Sequence, residues 1–380
     1  MNKRLLILVT EYYYFRSHKQ DLAKCAKESG FDVRVATRIG NHTPDRDGIS
    51  AINVDWTRSN SLVRAATQFF PEVLNVRRLL KQNAPTVLHN IALKPSIIGS
   101  LAALNIDVKV INSVNGFGFL FYDRSILARI AQKICGFILR LSIKRNGAVI
   151  VLQNKDDLRF AEATLGVRKD RLRLIPGSGV DTEQFKLATP CQGPSFRFLV
   201  LARLLRIKGI EIAIDAHKTL RASGYTQELV VCGGYDPDNP SAISPETVSR
   251  WSDIPGITFM GHVEDVRPVL TDSDVVVQPS LGGEGLPKSL LEAAAFAKPM
   301  IASDVPGNRE IVLNDITGLL VEPGNADSLA EAMKWAMTHP DSLVQWGTAA
   351  RQKVVAEFSA QRIMAQHAQL YSDTIATEPA

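Results

Sequence analysis

The sequence predicts an α/β fold of two doubly wound domains facing each other across a cleft. Three observations predict it. Short apolar runs alternate with helix-period stretches along nearly all of the 380 residues, which is the signature of βα units on a parallel sheet. The rhythm breaks once, at the Gly-, Pro-, Ser- and Thr-rich "GSGVDTEQFKLATPCQGPS" (Gly177–Ser195), and then restarts. The length also exceeds that of one typical domain. The expected division is a first domain over 1–180, a linker over 181–195, a second domain over 196–360, and a C-terminal helix over 361–380 that packs back on the first domain.

In chain order, the strands expected in the first half are "RLLILV" (Arg4–Val9), "DVRVAT" (Asp32–Thr37), "TVLHN" (Thr86–Asn90), "VKVINSV" (Val108–Val114), "AVIVLQ" (Ala148–Gln153) and "RLRLIP" (Arg171–Pro176). The second half repeats the pattern with "FRFLVL", "QELVVCGGYD", "GITFMGHV", "SDVVVQPS", "PMIASD" and "TGLLVEP". The opening apolar run stops at Thr10-Glu11, too short for a signal peptide, and reads as a first buried strand. Nothing approaches the roughly 20 apolar residues of a membrane span. The four cysteines (Cys25, Cys135, Cys191, Cys232) are scattered with no CxxC pair, which favours free thiols in a reducing compartment and argues against a structural zinc site.

Charge is divided unevenly. Residues 1–190 hold 29 Lys/Arg against 16 Asp/Glu, and residues 191–380 hold 15 against 23. A basic half joined to an acidic half implies that one of them faces something anionic. No nucleic-acid motif is present, and no G-x-G-x-x-G follows the first strand, which disfavours a nicotinamide dehydrogenase.

Ligands of doubly wound sheets bind at the carboxyl ends of the strands, and the second half gathers polar residues there. "LARLLRIKG" places Arg203 and Lys208 between a strand and a helix beginning near Gly209. Two cations beside a helix N-terminus suit a diphosphate. "VVCGGYD" supplies Gly233 and Gly234, where a backbone can approach a ligand closely, and "FMGHV" offers main-chain groups to the edge of a base. In "EGLPKSLLEAAAFAKP" two carboxylates stand eight residues apart. Pro287 suits the start of a helix, which leaves Glu284, Gly285 and Leu286 in the entering loop and puts Glu292 on the helix. A loop carboxylate and a helix carboxylate can then face one anion-seeking helix N-terminus, Glu292 accepting hydrogen bonds from a ribose diol. Taken singly, each of these residues also has an ordinary structural reading: surface charge, turn glycine or satisfied core acid.

Together, "LARLLRIKG", "CGG", "FMGHV", "PSLGGEGLPKSLLEAAAFAKPMIASDVPGNREIV" and "TGLLVEPGN" resemble the retaining glycosyltransferases of family 4, with the GT-B fold. "FRSHKQDLAK", "LHNIALKPSIIGSLAA" and "LIPGSGVDTEQF" look like the bacterial members that build lipid-linked surface polysaccharides. The resemblance implies transfer of a sugar from a nucleotide-diphosphate sugar, UDP favoured, to a hydroxyl of a polyprenyl-diphosphate-linked or saccharide acceptor. It implies that Arg203 and Lys208 hold the donor diphosphate, that Glu284 contacts the donor sugar, and that Glu292 binds the ribose. Gly285 and Leu286 then contact sugar and phosphate through the backbone, and Val263 lies where the base is read. On the acceptor side stand His18, His89, Lys94 and Asn115. The chain departs from the family in "TEYYYFRSHKQ", which lacks a glycine pair after the first strand, and in "NSVNGFGF", where many members carry a His. No carboxylate or His cluster resembles a metal site, so metal-independent chemistry without a cofactor is expected. An epimerase of the same fold and a non-catalytic nucleotide-sugar-binding module are the alternatives.

"FGFLFYDRSILARIAQKICGFILRLSIKRN" (Phe117–Asn146) interleaves Arg124, Arg129, Lys133, Arg140, Lys144 and Arg145 with apolar residues at partly helical spacing. It reads either as a core helix with a solvated basic face or as a helix lying in an anionic bilayer interface. The basic excess of the first half favours the interface, and with it a cytoplasmic enzyme peripheral to the inner face of the membrane.

Overall fold

The structure, a computed structural model, describes residues 3–40, 48–56, 62–117, 125–186, 195–237, 239 and 241–376, the side chains of 62–66 excepted. Arg124 and residues 187–194 of the expected linker, with Cys191, lie outside the described residues.

The chain forms two compact units, one running to Ser178 and rejoined by the residues from Gln361 onward, the other spanning Gly179–Ala360. The first unit contains β1 (Lys3–Glu11), β2 (Phe31–Arg38), β3 (Ser50–Asn53), β4 (Val87–Ile91), β5 (Lys109–Val114), β6 (Val149–Leu152) and β7 (Leu172–Leu174), in the order β3-β2-β1-β4-β5-β6-β7. The second contains β8 (Arg197–Leu201), β9 (Glu228–Cys232), β10 (Ile257–Gly261), β11 (Val275–Gln278), β12 (Met300–Ser303) and β13 (Gly318–Val321), in the order β10-β9-β8-β11-β12-β13. Every pairing is parallel. Each sheet therefore reverses its winding once, between β1 and β4 and between β8 and β11, and such a switch point opens a crevice at the strand ends.

All twelve expected strands are present. The thirteenth, β3, was not expected: "SAIN" is short, unpatterned and half exposed, as an outer strand can be. Period-two burial explains the sheets. In β1, Leu5, Ile7 and Val9 enter one core and Leu6 and Leu8 the opposite one. In β8, Leu199 and Leu201 divide from Phe198 and Val200 in the same way. Both faces are covered, which is why these strands read as continuous apolar runs.

Residues 179–186, which the sequence reading assigns to the end of the first domain and the linker, pack within the second unit. Val180 pairs with Ser359, Phe185 enters the core beside Phe296, and Arg351 donates to the carbonyls of Phe185 (2.6 Å) and Thr182 (3.2 Å). The buried Phe185 gives this stretch an apolar anchor that its loop-like composition conceals. The helix Ala360–Ala376 lays Ile363, Leu370 and Tyr371 on the first sheet, among Phe31, Val33 and Val35.

Candidate active site

The second unit carries a buried polar cluster at its switch point. The chain leaves β8 through a 3-10 turn, Arg206–Lys208, and enters the helix Ile210–Ala222 at Gly209, whose φ is +70°. A Cβ at Gly209 would collide with the carbonyl of Pro279, just past β11. Only glycine lets the two loops approach this closely. The approach brings Lys208 to Glu284, Nζ donating to Oε1 at 2.7 Å. The same carboxylate oxygen accepts from Ser280 Oγ at 2.6 Å and from Gln278 Nε2 at 3.3 Å. Gln278 is itself oriented by Ser289 Oγ, which donates to its Oε1 at 2.9 Å. Burial pushes the Glu284 carboxyl up, but the Lys208 charge and these hydrogen bonds outweigh it and hold the group below its ordinary value. Glu284 is therefore a buried, ionised carboxylate that fixes a half-buried lysine.

Pro287 caps the helix Lys288–Ala295, so Glu284, Gly285 and Leu286 lie in the entering loop. Leu286 turns its side chain into the core. Gly307, at φ +86°, presses on the Gly285 carbonyl so closely that a Cβ would overlap it. Ala293, Ala294 and Ala295 are fully buried and let the helix lie close on the sheet. The N-terminus of this helix, with its first-turn N–H groups and positive dipole end, stands beside the Glu284 loop.

Glu292 takes a different direction. Its carboxylate is 3.5 Å from Lys288 Nζ, and burial raises its pKa, the Lys288 charge opposing and Asp265 reinforcing. Asp265 and the half-buried Val263 both belong to the loop after β10. The two carboxylates thus have different partners, Glu284 a lysine of the β8 loop and Glu292 a lysine of its own helix.

Arg203 is exposed and paired with Asp236, Nη1 donating to Oδ2 at 2.7 Å. Gly233 has a packing reason of its own. Its amide donates to the Gly261 carbonyl at 2.8 Å, and a Cβ there would collide with the Ala202 carbonyl. Neighbouring backbone thus requires glycine here whether or not a ligand also approaches it.

In the first unit, His18 stacks on Tyr14 (centroids 4.5 Å apart) and contacts Ser17 Oγ at 2.6 Å. Asn115 Nδ2 donates to Tyr14 Oη at 2.7 Å, and Gln153 Nε2 donates to Asn115 Oδ1 at 2.8 Å. His18 and Asn115 are thus joined through Tyr14 at the ends of β1, β5 and β6. Lys94 is elsewhere, bonded to Glu72 at 2.7 Å and lying over the Trp56 ring. His89 is a correction. It is fully buried, Nδ1 meeting Tyr371 Oη at 2.8 Å and Nε2 meeting Ser113 Oγ at 2.6 Å. Burial, aided by the Lys19 charge, lowers its pKa to about 3, so it is a neutral core residue with both ring nitrogens occupied and no reach to an acceptor.

Asp236, Gln278, Ser280, Tyr14 and Gln153 were not singled out from the sequence. Gln278 and Ser280 do carry a signal, being polar residues at the very end of the apolar run "DVVVQPS".

Two parallel α/β units, each with one switch point, have the domain architecture of the GT-B fold. The description "Glycosyl transferase 4-like" matches residues 4–153 and "Glycosyl transferases group 1" matches residues 195–339. The chain belongs to this glycosyltransferase family. It is 22% identical to the capsular polysaccharide biosynthesis glycosyltransferase CapM of Staphylococcus aureus, over 91% of each chain. It is 26% identical to the UDP-Gal:alpha-D-GlcNAc-diphosphoundecaprenol alpha-1,3-galactosyltransferase of Escherichia coli, over 69% of this chain and 68% of that one. In fold it resembles the sucrose-phosphate synthase of Thermosynechococcus elongatus, with a TM-score of 0.80 and 20% identity, over 99% of this chain and 100% of that one.

Proposed function

We propose that the protein transfers a sugar, with retention of anomeric configuration, from a nucleotide-diphosphate sugar, UDP favoured, to a hydroxyl of a lipid-linked or saccharide acceptor in surface polysaccharide biosynthesis. The observation that carries this reading is the Lys208–Glu284 pair, which joins the β8 and β11 loops beside the N-terminus of the helix Lys288–Ala295. In the reaction the bond from the anomeric carbon to the phosphate oxygen breaks and a bond to the acceptor oxygen forms. The acceptor's proton passes to the departing diphosphate on the same face. The chief demand is charge on that diphosphate, and preorganised donors supply stabilisation of this kind. Lys208, held by Glu284, and Arg203 meet the phosphates together with the helix N–H groups, without a metal ion. Glu292 accepts from the ribose hydroxyls, and the main chain near Val263 meets the base. Glu284 acts chiefly through Lys208, since three donors already share its Oε1.

The lipid-linked acceptor is supported by the Escherichia coli relative, whose name specifies a diphosphoundecaprenol substrate, and by the helix Ile126–Asn146. On that helix Ile126, Leu127, Ile130, Ile134 and Phe137 are 49–76% exposed, and Arg129, Lys133, Lys144 and Arg145 are exposed among and beyond them. The three- and four-residue steps from Ile126 through Ile130 and Ile134 to Phe137 put an apolar stripe on one helix side, which suits a helix lying in an anionic bilayer surface. Among the described residues no helix is long and apolar enough to cross a membrane.

Thermal melting with UDP, GDP and ADP, with and without EDTA, tests the donor site. A ligand at 100 times its Kd adds about 2.7 kcal/mol. One nucleoside diphosphate is expected to raise the Tm in EDTA, and Arg203→Ala and Glu292→Ala to blunt the shift; no shift with any of the three overturns the site. For the surface, sedimentation with phosphatidylglycerol vesicles is expected at low salt and to fail at high salt. Ile130→Asp together with Ile134→Asp should abolish it.

A further inference from the structure

The nearest partner of Arg203 is an acid that no reading of the sequence marked. Asp236 lies at the end of the turn that follows β9, its side chain 11% exposed against 46% for Arg203. The two loops are zipped by backbone hydrogen bonds: Ala202 N to Cys232 O at 3.0 Å, Leu204 N to Gly234 O at 3.1 Å and Ile243 N to Leu204 O at 3.0 Å. Gly233 permits the zipper, because any side chain there would strike the Ala202 carbonyl. The zipper thus brings the loop that carries the largely buried Asp236 alongside that of Arg203, whose side chain is long, exposed and rich in rotamers.

We propose that Asp236 is a positioning residue for the transfer: it engages one N–H of the Arg203 guanidinium and so aims the rest of the fork at the donor diphosphate. The proposal rests on the donor-site reading given above. A guanidinium has five N–H donors in a fixed plane, and the contact observed here uses Nη1 alone, so further donors are left for phosphate oxygens. The cost of immobilising a flexible arginine is met before the donor arrives, which is the physical content of preorganisation. Lys208 is treated in the same way by Glu284, so both cations of the site are held by a carboxylate from a neighbouring strand end. The role asked of Asp236 is geometric. Asparagine, which keeps an acceptor oxygen, should therefore replace it better than alanine.

The test is a double-mutant cycle read as the affinity for UDP, GDP and ADP and as kcat and KM for sugar transfer, on wild type, Arg203→Ala, Asp236→Ala, the double variant and Asp236→Asn. Loss of a hydrogen bond to a charged group of this kind costs about tenfold or more. Asp236→Ala is expected to weaken nucleoside diphosphate binding about tenfold and to lower kcat further. Asp236→Asn should stay within about threefold of wild type, and the double variant should be no worse than Arg203→Ala. If Arg203→Ala binds all three nucleotides like wild type, the donor-site reading falls and the proposal with it. If Arg203→Ala is impaired but Asp236→Ala is silent, or adds its full effect in the absence of Arg203, the donor site stands and the positioning role is overturned. Should Asp236→Ala misfold, Asp236→Asn and Asp236→Leu carry the cycle, with the leucine variant expected to match the loss assigned to alanine.

Discussion

In the C-terminal unit the ends of β8 and β11 meet through charge: Lys208 against Glu284, with Ser280 and Gln278 supplying the remaining donors. In the N-terminal unit, ion pairs Arg38–Glu11 and Lys94–Glu72 stand at the ends of β1 and β4, and the buried histidines beside them lie in a hydrogen-bonded cluster. His89 stands between Tyr371 and Ser113, beside His367 at 5.9 Å between ring centroids. Lys19, at the end of the helix that follows β1, is buried, donates to the Gly177 carbonyl at 3.5 Å, and has its pKa lowered by burial to about 8. A buried charge survives when an opposite charge and hydrogen bonds surround it, and otherwise the group is driven toward its neutral form. Glu284 has Lys208 and stays ionised; His89 is held uncharged by burial and the Lys19 charge, and His367 by burial, the Lys19 charge and His89. The β8–β11 junction is thus tied by a buried ion pair, whereas the histidines beside β4 are held neutral between hydrogen-bond partners.

The sharpest way to break this contrast is Lys208→Ala. Removing one preorganised donor is expected to lower kcat about 10²–10³-fold. The buried Glu284, left unpaired, should also cost the C-terminal unit about 3 kcal/mol. Lys208→Met combined with Glu284→Gln should recover much of the Tm and none of the activity, which separates the structural from the catalytic part.

Acid should distinguish the units next. The His89 pKa falls from 6.5 to about 3 on folding, so the folded state prefers the neutral ring. Its contribution is complete above pH 6.5 and drains away as pH falls toward 3, by about 2 kcal/mol between pH 6.5 and 4.5. His367 acts in the same direction. Asp157, raised to about 6 chiefly by burial, acts in the opposite one, since its folded form gains a proton first, and it offsets part of the loss. In the other unit, Glu284 loses stabilisation only once pH falls below its ordinary value of 4.5, whereas Glu292, raised by burial, gains on protonation. Hydrogen exchange at pH 5 against pH 7, each corrected for intrinsic rate, should therefore show loss of protection in β4 and β5 before β8 and β11. Simultaneous loss would break the comparison.

The smallest effect expected is that of Tyr371→Phe. It removes one buried hydrogen bond to His89 and should cost about 1 kcal/mol, read as a lower Tm. Nucleotide affinity should not change, because the residue lies outside the unit proposed to hold the donor.

Much of this was legible in the chain. The strand runs, the restart after the Gly/Pro-rich stretch and the loop-then-helix placement of Glu284 and Glu292 follow from periodicity and from Pro287. Illegible were the partners. Nothing local ties Arg203 to Asp236, 33 residues away, or Lys208 to Glu284, 76 residues away. His89 looked like a candidate ligand because a histidine in an apolar run is ambiguous until its cover is known. Its cover, Tyr371, lies 282 residues downstream.

By itself the sequence determined which segments become strands and helices, and that they divide into two parallel α/β units, because apolar period and turn chemistry act over a few residues. Only the tertiary structure decided which polar groups stay charged. Glu284 with Lys208, and His89 with Tyr371, are set by contacts between distant segments, and burial favours the charged or the neutral form according to the groups those contacts bring within a few ångströms.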